Sequence, residues 1–508
     1  MTEKSRTEYS ARNTTAAMIS KIIAILVGFV SRVVFTHTLN ESYVGINGLF
    51  SDILNVLSLS ELGIGTAITY ALYRPIAEHE IEKQKSLMRL YRWMYRMVAG
   101  FILAAGLAVV PFLDVLIKNK PDVEHLTGIY LMYLANSVLS YLLIYKKTLI
   151  DAHQKLYLGV IYETVFLVLQ NVIQIIILLW TGDFILYLTI YLLCTLGKNL
   201  CISHKADRLY PYIREKQVQP LEKEEKREIL RNMKAMLMHK AGHVVVNNTD
   251  NLLLSSLVGI SSVSCYSIYY LLIGSVRQIF TQMFQGIMAS VGNLGVTESR
   301  QRVKRIFEAS FFIGYWMYGF AAVCLYELLN PFVEFCFGAQ FVFDRNVVLV
   351  LCMNFYVTGM RQATLIFRDS LGLFWYDRYK SIAEGVINLV VSIVLAQKLG
   401  AAGVFIGTLV SSLTTSVWVE PWVLYRRHLQ EPVMPYFRKY AGYTAVLGLA
   451  GLIVELVCSK IPCSSPGFFL LRACVCIVFI NSIFFICYHR TKEFRLLVQK
   501  WKSLRKRT

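Results

Sequence analysis

The sequence predicts an all-α polytopic membrane protein of about fourteen transmembrane helices, arranged as two six-helix lobes related by a parallel repeat plus two C-terminal helices. Three observations carry this. The 508 residues are 56% hydrophobic with a mean hydropathy of +0.49, and only 17% are charged, against about 25% in soluble domains. Apolar runs of about 20 residues, the length that crosses a bilayer, recur along the whole chain. Finally, Arg12-Asn13 with Lys21 returns as Arg231-Asn232 with Lys240, each set opening such a run.

In chain order the runs centre near Leu26, Leu57, Leu107, Val138, Leu169, Leu192, Val246, Ile279, Tyr318, Tyr356, Val390, Val410, Leu449 and Phe479. Helices are expected because a lipid-embedded backbone must satisfy its own polar groups. The first thirteen residues are polar and no small-residue cleavage site follows the first apolar run, so that run is read as a retained helix. With the N-terminus inside, most of the 52 Lys and Arg fall on cytoplasmic segments. Only Lys118, Lys120, Arg345, Lys398 and Lys460 fall on outer loops, and Lys21, Arg32, Lys240, Arg277, Arg361 and Arg472 lie within or near spans. The positive-inside rule then places both termini in the cytoplasm. Topology accounts for the net charge of +19, so no nucleic-acid partner is needed.

The first span carries Lys21 and Arg32. Eleven residues at about 100° each return to within about 20° of the same direction, so one helix face bears two cations. They either snorkel to the interface or face a polar cavity. The second span, residues 49–72, holds Asp52, Asn55 and Glu61, the last followed by Gly63 and Gly65. Glycines beside a carboxylate suit a bent helix lining a transport site, or plain helix packing.

The longest hydrophilic stretch, residues 205–234, reads as a cytoplasmic connector and divides the chain into 1–205, 206–234, 235–428, 429–490 and a basic amphipathic tail, 491–508. The repeat preserves Arg12, Asn13, Ala16, Lys21 and Val27 as Arg231, Asn232, Ala235, Lys240 and Val246. The seventh span carries Lys240, His239, His243, Asn247 and Asp250. The spacing puts His239, His243 and Asp250 on one face, suited to proton or cation handling or to a structural ion pair with Arg32 or Lys21. A histidine pair four residues apart also suits a metal, but no further ligand cluster accompanies it, and no metal is expected. Arg277, Arg361 and Glu384 complete the set of charges in the spans, Arg361 near a cytoplasmic end. The tail repeats Phe494, Leu497, Val498, Trp501 and Leu504 among basic residues, either an interfacial helix on an anionic leaflet or a frayed end.

Most of the eleven cysteines lie inside spans as small apolar residues, and only Cys458 and Cys463 flank an outer loop where they could be joined. No Gly-x4-Gly-Lys-Ser/Thr occurs, so no nucleotide site is expected. The longest external loop, residues 330–345, is too short to build the pocket of a glycan polymerase or glycosyltransferase, and no catalytic constellation stands out. The cations do have a chemical use: Arg binds phosphate oxygens bidentately and Lys as a point charge, as a pyrophosphate-linked lipid substrate requires.

The segments Ser31-Arg32-Val33-Val34-Phe35, Tyr43-Val44-Gly45-Ile46-Asn47-Gly48-Leu49-Phe50 and Leu59-Ser60-Glu61-Leu62-Gly63-Ile64-Gly65-Thr66-Ala67 resemble the N-terminal half of Wzx-type polysaccharide flippases. Asn247-Asn248-Thr249-Asp250-Asn251 and Tyr266-Ser267-Ile268-Tyr269-Tyr270 resemble the start of their second half. These flippases belong to the multidrug/oligosaccharidyl-lipid/polysaccharide (MOP) exporter superfamily. The resemblance implies a two-lobed helical fold, alternating access, and undecaprenyl-pyrophosphate-linked oligosaccharide carried from the inner to the outer leaflet of a bacterial cell membrane. It also implies a basic central cavity onto which Arg32 and Glu61 map. The last two spans resemble those beside a lipid-tail groove in lipid II flippases.

The expected function is therefore a flippase in polysaccharide biosynthesis. Arg32, Lys21, Arg277 and Lys240 are the expected head-group contacts, with Asp250, His243, Glu61 and Asp52 in gating or ion coupling. No cofactor is expected beyond coupling to H+ or Na+. The partners are lipid-linked oligosaccharide, membrane lipids, and the polymerase and glycosyltransferases of the same pathway. The alternatives are a flippase for lipid II or teichoic precursors, and a multidrug exporter of the same superfamily, against which the cationic cavity argues.

Overall fold

The computed structural model describes residues 6–57, 71–72, 75–76, 78–117, 123, 125–153, 155–215, 218–221, 224, 227, 250–297, 299–371, 373, 376–377, 379–462 and 465–505, without the side chains of 6–15, 17, 114–115, 285–297 and 500–505. Among these residues there is no β-strand. The chain divides into two compact units, Met1–Ser264 and Cys265–Thr508.

The first unit contains α1 (Arg6–Thr38), α2 (Glu41–Leu57), α3 (Ile81–Val109), α4 (Leu126–Leu142), α5 (Tyr145–Ala152), α6 (Leu156–Thr181), α7 (Phe184–Leu209) and the short α8 (Asp250–Leu253). A wide turn, Leu254–Val258, then leads through Gly259 into α9 (Ile260–Thr297), where the division between units falls. Helix α1 packs on α6, α6 on α7, α7 on α4, and α4 on α3, while α8 packs on α2. The described end of the seventh segment thus belongs by packing to the first unit.

Local sequence explains the sharpest boundary. Helix α6 ends at Gly182, whose φ of 64° is costly for other residues, and Asp183 caps α7 by accepting from the Ile185 and Leu186 amides at 2.7 and 3.2 Å. On α6, Ile161, Val165, Leu169, Val172, Ile176 and Leu179 are exposed at steps of three and four residues. Such an apolar stripe is suited to lipid and not to water.

The second unit continues with α10 (Arg300–Phe337), α11 (Arg345–Ser370), α12 (Lys380–Leu399), α13 (Ala401–Thr414), α14 (Ser416–Leu424), α15 (Met434–Cys458), α16 (Pro466–Tyr488) and α17 (Lys492–Arg505). Helices α12 and α13 form a tight hairpin. A Cβ on Gly407 would lie 2.7 Å from the Ser392 amide nitrogen, so only glycine permits this approach, and Ser392 Oγ donates to the Val404 carbonyl across it. The core is aromatic, centred on Phe307, Phe311, Phe312, Tyr315, Tyr443 and Phe484. Tyr315 and Tyr443 stack with centroids 4.3 Å apart. Proline opens both α15 and α16, where its missing N–H costs nothing.

Among the described residues, nine helices are long and apolar enough to cross a membrane, or ten if α4 and α5, bent by 43°, form one broken span. The chain is a multi-pass membrane protein, and the expected fourteen is a larger number than this. The seventh expected span lies largely outside the described residues, as does much of the second. Those near Ile279 and Tyr356 form α9 and the more polar α11, which are not among the nine. Every described cysteine is free, Cys458 being a buried thiol, whereas Cys463 lies outside the described residues.

Both hydrophilic segments are anchored where described. The start of the connector is held to α3: Lys85 pairs with Glu215 at 2.5 Å, Ser86 Oγ donates to the Gln219 carbonyl, and Tyr212 Oη donates to Gln84 Oε1. The tail is helical as α17 and docks on α10, Phe494 stacking on Trp316 at 5.9 Å. Lys439 bridges Glu493 and Glu308 at 2.7 and 3.0 Å.

Candidate functional site

In the first unit, α1, α2, α4 and α7 bring a cation together with phenols and amides. Arg32 is half-buried, its guanidinium carbon 5.9 Å from the centroid of Phe35, one turn further along α1. Tyr187 of α7 and Tyr133 of α4 lie near enough to interact with it electrostatically. Tyr133 Oη donates to Asn47 Oδ1 at 2.6 Å, Tyr187 meets Ser31, and Tyr133 and Tyr191 lie edge to face at 6.5 Å. Phe35 in turn packs edge-on against Phe184 and Tyr187 at 5.8 and 5.3 Å, which fixes the wall on which Arg32 stands. Among the described residues no carboxylate pairs with Arg32. An arginine in a membrane helix without such a partner is costly. The cation–π contact offsets only about 0.5–2 kcal/mol of that.

Helix α2 carries the acidic element of the same unit. Asp52 is half-buried and its Oδ2 accepts from Asn251 Nδ2 at 2.7 Å, with Asn55 also reaching it. Asn251 sits at the repeat-equivalent position of Arg32. Among the described residues Asp52 has amide partners and no cation, an environment that can exchange a proton or a monovalent ion. Asp250 is buried at 6% exposure. Lys21 is half-buried on α1 without an ion pair among the described residues. Lys240, His243, His239 and Glu61 lie outside the described residues.

In the second unit, Arg277 of α9 is half-buried with its guanidinium carbon 5.7 Å from the Tyr270 centroid and Tyr318 nearby. It too lacks a carboxylate partner among the described residues. Arg361 contrasts with it. Its Nε and Nη2 grip Glu420 at 3.2 and 2.8 Å, and its Nη1 reaches Glu384 Oε1 at 3.3 Å. Lys380 also donates to Glu420, and Arg368 pairs with Asp377 at 2.5 Å. Ser412 and Ser416 donate to Glu384 at 2.9 and 2.6 Å. Arg361 is saturated by carboxylates, so it binds α11, α12 and α14 together and has little left for a ligand.

Sequence reasoning placed Arg361 and Glu384 among the charges in the spans but missed Glu420, Lys380, Asp377 and Arg368. The available signal was Glu420 itself, a lone carboxylate in the apolar run 401–424. It likewise missed Tyr133, Tyr187 and Asn47, because phenols and amides are common in any span and only their convergence on Arg32 sets these apart. Among the described residues no group of His, Cys, Asp and Glu is arranged to hold a metal.

No protein-family model matches the chain, and no curated protein does. Solved structures do. The lipid II flippase MurJ in an inward closed conformation is similar over 94% of this chain and 98% of its own, with a TM-score of 0.65 at 13% identity. An inward-facing multidrug resistance transporter of the MATE family is similar over 82% of this chain and 98% of its own, with a TM-score of 0.61 at 15% identity. A MOP superfamily transporter from Pyrococcus furiosus, whose binding pocket is described as reversed in polarity, is similar over 85% of this chain and all of its own, with a TM-score of 0.56 at 14% identity. The fold of this chain is that of MOP superfamily transporters.

Proposed function

We propose that this protein is a flippase that carries lipid-linked oligosaccharide repeat units, on a polyprenyl pyrophosphate, from the inner to the outer leaflet of a bacterial cytoplasmic membrane by alternating access. The observation that carries the reading is the environment of Arg32, a guanidinium without a carboxylate partner among the described residues, beside phenol hydroxyls and aromatic faces. Such a wall offers bidentate donors to phosphate oxygens, hydroxyls to a sugar and rings against which a sugar face can pack. Arg277 offers a second cation, with Lys21 and Lys240 as further contacts. Asp52, Asp250, His243 and Glu61 are the proposed gating and ion-coupling groups, with H+ or Na+ as the coupling ion. The termini are cytoplasmic in this reading, and the cargo is supplied by glycosyltransferases and consumed by a polymerase.

Transport of a fluorescent polyprenyl-pyrophosphate oligosaccharide by reconstituted proteoliposomes tests the reading. Arg32→Ala is expected to reduce the rate at least about tenfold, the value of one lost charge-assisted hydrogen bond, with normal protein abundance. An unchanged rate removes Arg32 from the site. The likeness to MurJ over most of the chain supports a second reading, in which the cargo is lipid II or a teichoic precursor. Offering both cargoes in one assay separates the two, and export of cationic drugs without either would favour a multidrug exporter.

A further inference from the structure

The second unit carries an open apolar trough of about 430 Å³, walled by one face of α15 and by residues of α11 and α13, with α10 as its floor. Its depth comes from absent side chains. A Cβ on Gly448 would meet nothing within 4 Å, and one on Gly451 would meet only Val323 Cγ2, at 3.8 Å. Leu349, Met353, Leu413 and Leu452, all exposed, form its rims.

One end is not apolar. Tyr326 and Glu455 close it, and Arg345 stacks over the Tyr326 ring at 4.9 Å while its Nε donates to Tyr326 Oη at 2.9 Å. Arg345 Nη2 reaches Glu455 and Glu327 at 3.0 and 3.2 Å. Glu327 is buried, whereas Arg345 and Glu455 keep 52% and 35% of their side chains exposed. An accessible guanidinium therefore stands beside an accessible carboxylate, while the buried Glu327 has Arg472 near it as well as Arg345.

We infer that this trough is a binding site for a zwitterionic phospholipid with a primary amine. An acyl chain lies along Gly448 and Gly451, the phosphate meets the free edge of Arg345, and the ammonium meets Glu455. The exposed Glu455 carboxylate, beside the phosphate position, selects against a purely anionic head group, because like charges at close range repel. A quaternary ammonium has no N–H to donate to Glu455 and is bound less well. With the termini inside, Arg345 lies at the outer face, so the lipid comes from the outer leaflet. The site lies outside the proposed cargo contacts and stands independently of them.

Native mass spectrometry of the purified full chain, offered phosphatidylethanolamine, phosphatidylcholine and phosphatidylglycerol with identical acyl chains, tests this. The protein is expected to retain phosphatidylethanolamine about tenfold over the other two, the value of one charge-assisted hydrogen bond. Gly448→Leu fills open space and is expected to stay folded and monodisperse while losing the retained lipid. Glu455→Gln is expected to keep lipid but lose the preference over phosphatidylcholine. Equal retention of the three head groups by the unsubstituted protein, preference for phosphatidylglycerol, or undiminished retention by folded Gly448→Leu each overturns the inference.

Discussion

Replacing Glu420 with glutamine isolates the largest electrostatic commitment in the second unit. Glu420 is fully buried, accepts two hydrogen bonds from Arg361 and one from Lys380, and has Arg368 at 4.0 Å. After the substitution, Arg361 keeps Glu384 at 3.3 Å, Lys380 keeps Asp377 at 3.5 Å, and Arg368 keeps Asp377 and Asp369. Every cation keeps a carboxylate, but Arg361 and Lys380 each lose their shortest ion pair. Breaking a buried pair in this way costs about 3–5 kcal/mol, and the surviving partners place the expected loss near the lower figure. Deleting Asp369, a partly exposed partner of Arg368, should cost less than about 1 kcal/mol by contrast. Thermal unfolding of the detergent-solubilised protein reads both. The double variant Glu420→Gln/Lys380→Met is expected to recover part of the loss, because the buried ammonium left with only the longer Asp377 contact is then removed as well. A Glu420→Gln protein within about 0.5 kcal/mol of the original, or a double variant whose losses simply add, would refute the claim that this network holds α11, α12 and α14 together.

Two other perturbations separate transport from packing. Asp52→Asn keeps the shape that Asn251 recognises, so the protein should fold, and vesicle transport should lose its response to an imposed proton or sodium gradient; an unaltered response removes Asp52 from coupling. Gly407→Leu forces a side chain toward the Ser392 backbone, and the hairpin of α12 and α13 should lose about 1–3 kcal/mol of stability in a thermal scan, whereas a stable variant would show that these helices can separate freely.

The helices were legible because lipid leaves the chain so little choice. Apolar runs of the right length marked α1, α6, α7, α15 and α16. The exception among them is instructive. The run around Val138 breaks into α4 and α5, since a bend depends on what packs against each half and periodicity records only that both halves are apolar. Arg32 and Asp52 were legible as candidates because an isolated charge in an apolar run is conspicuous. Their surroundings were not, since Asn251, Tyr133 and Tyr187 reach them from distant positions.

By itself the sequence determined that the protein is a helical, multi-pass membrane protein with cations and carboxylates inside its spans, because burial of backbone in lipid makes hydrophobic length decisive. Only the tertiary structure decided which of those charges are already spent. Arg32, Arg277 and Arg361 look alike in sequence, each an arginine among apolar neighbours. Among the described residues, Arg361 alone of these three is gripped by carboxylates, Glu420 from α14 and Glu384 from α12, whereas aromatic rings flank the other two. An ion pair is made by two side chains at a distance of a few ångströms, and the order of residues along the chain does not encode that distance.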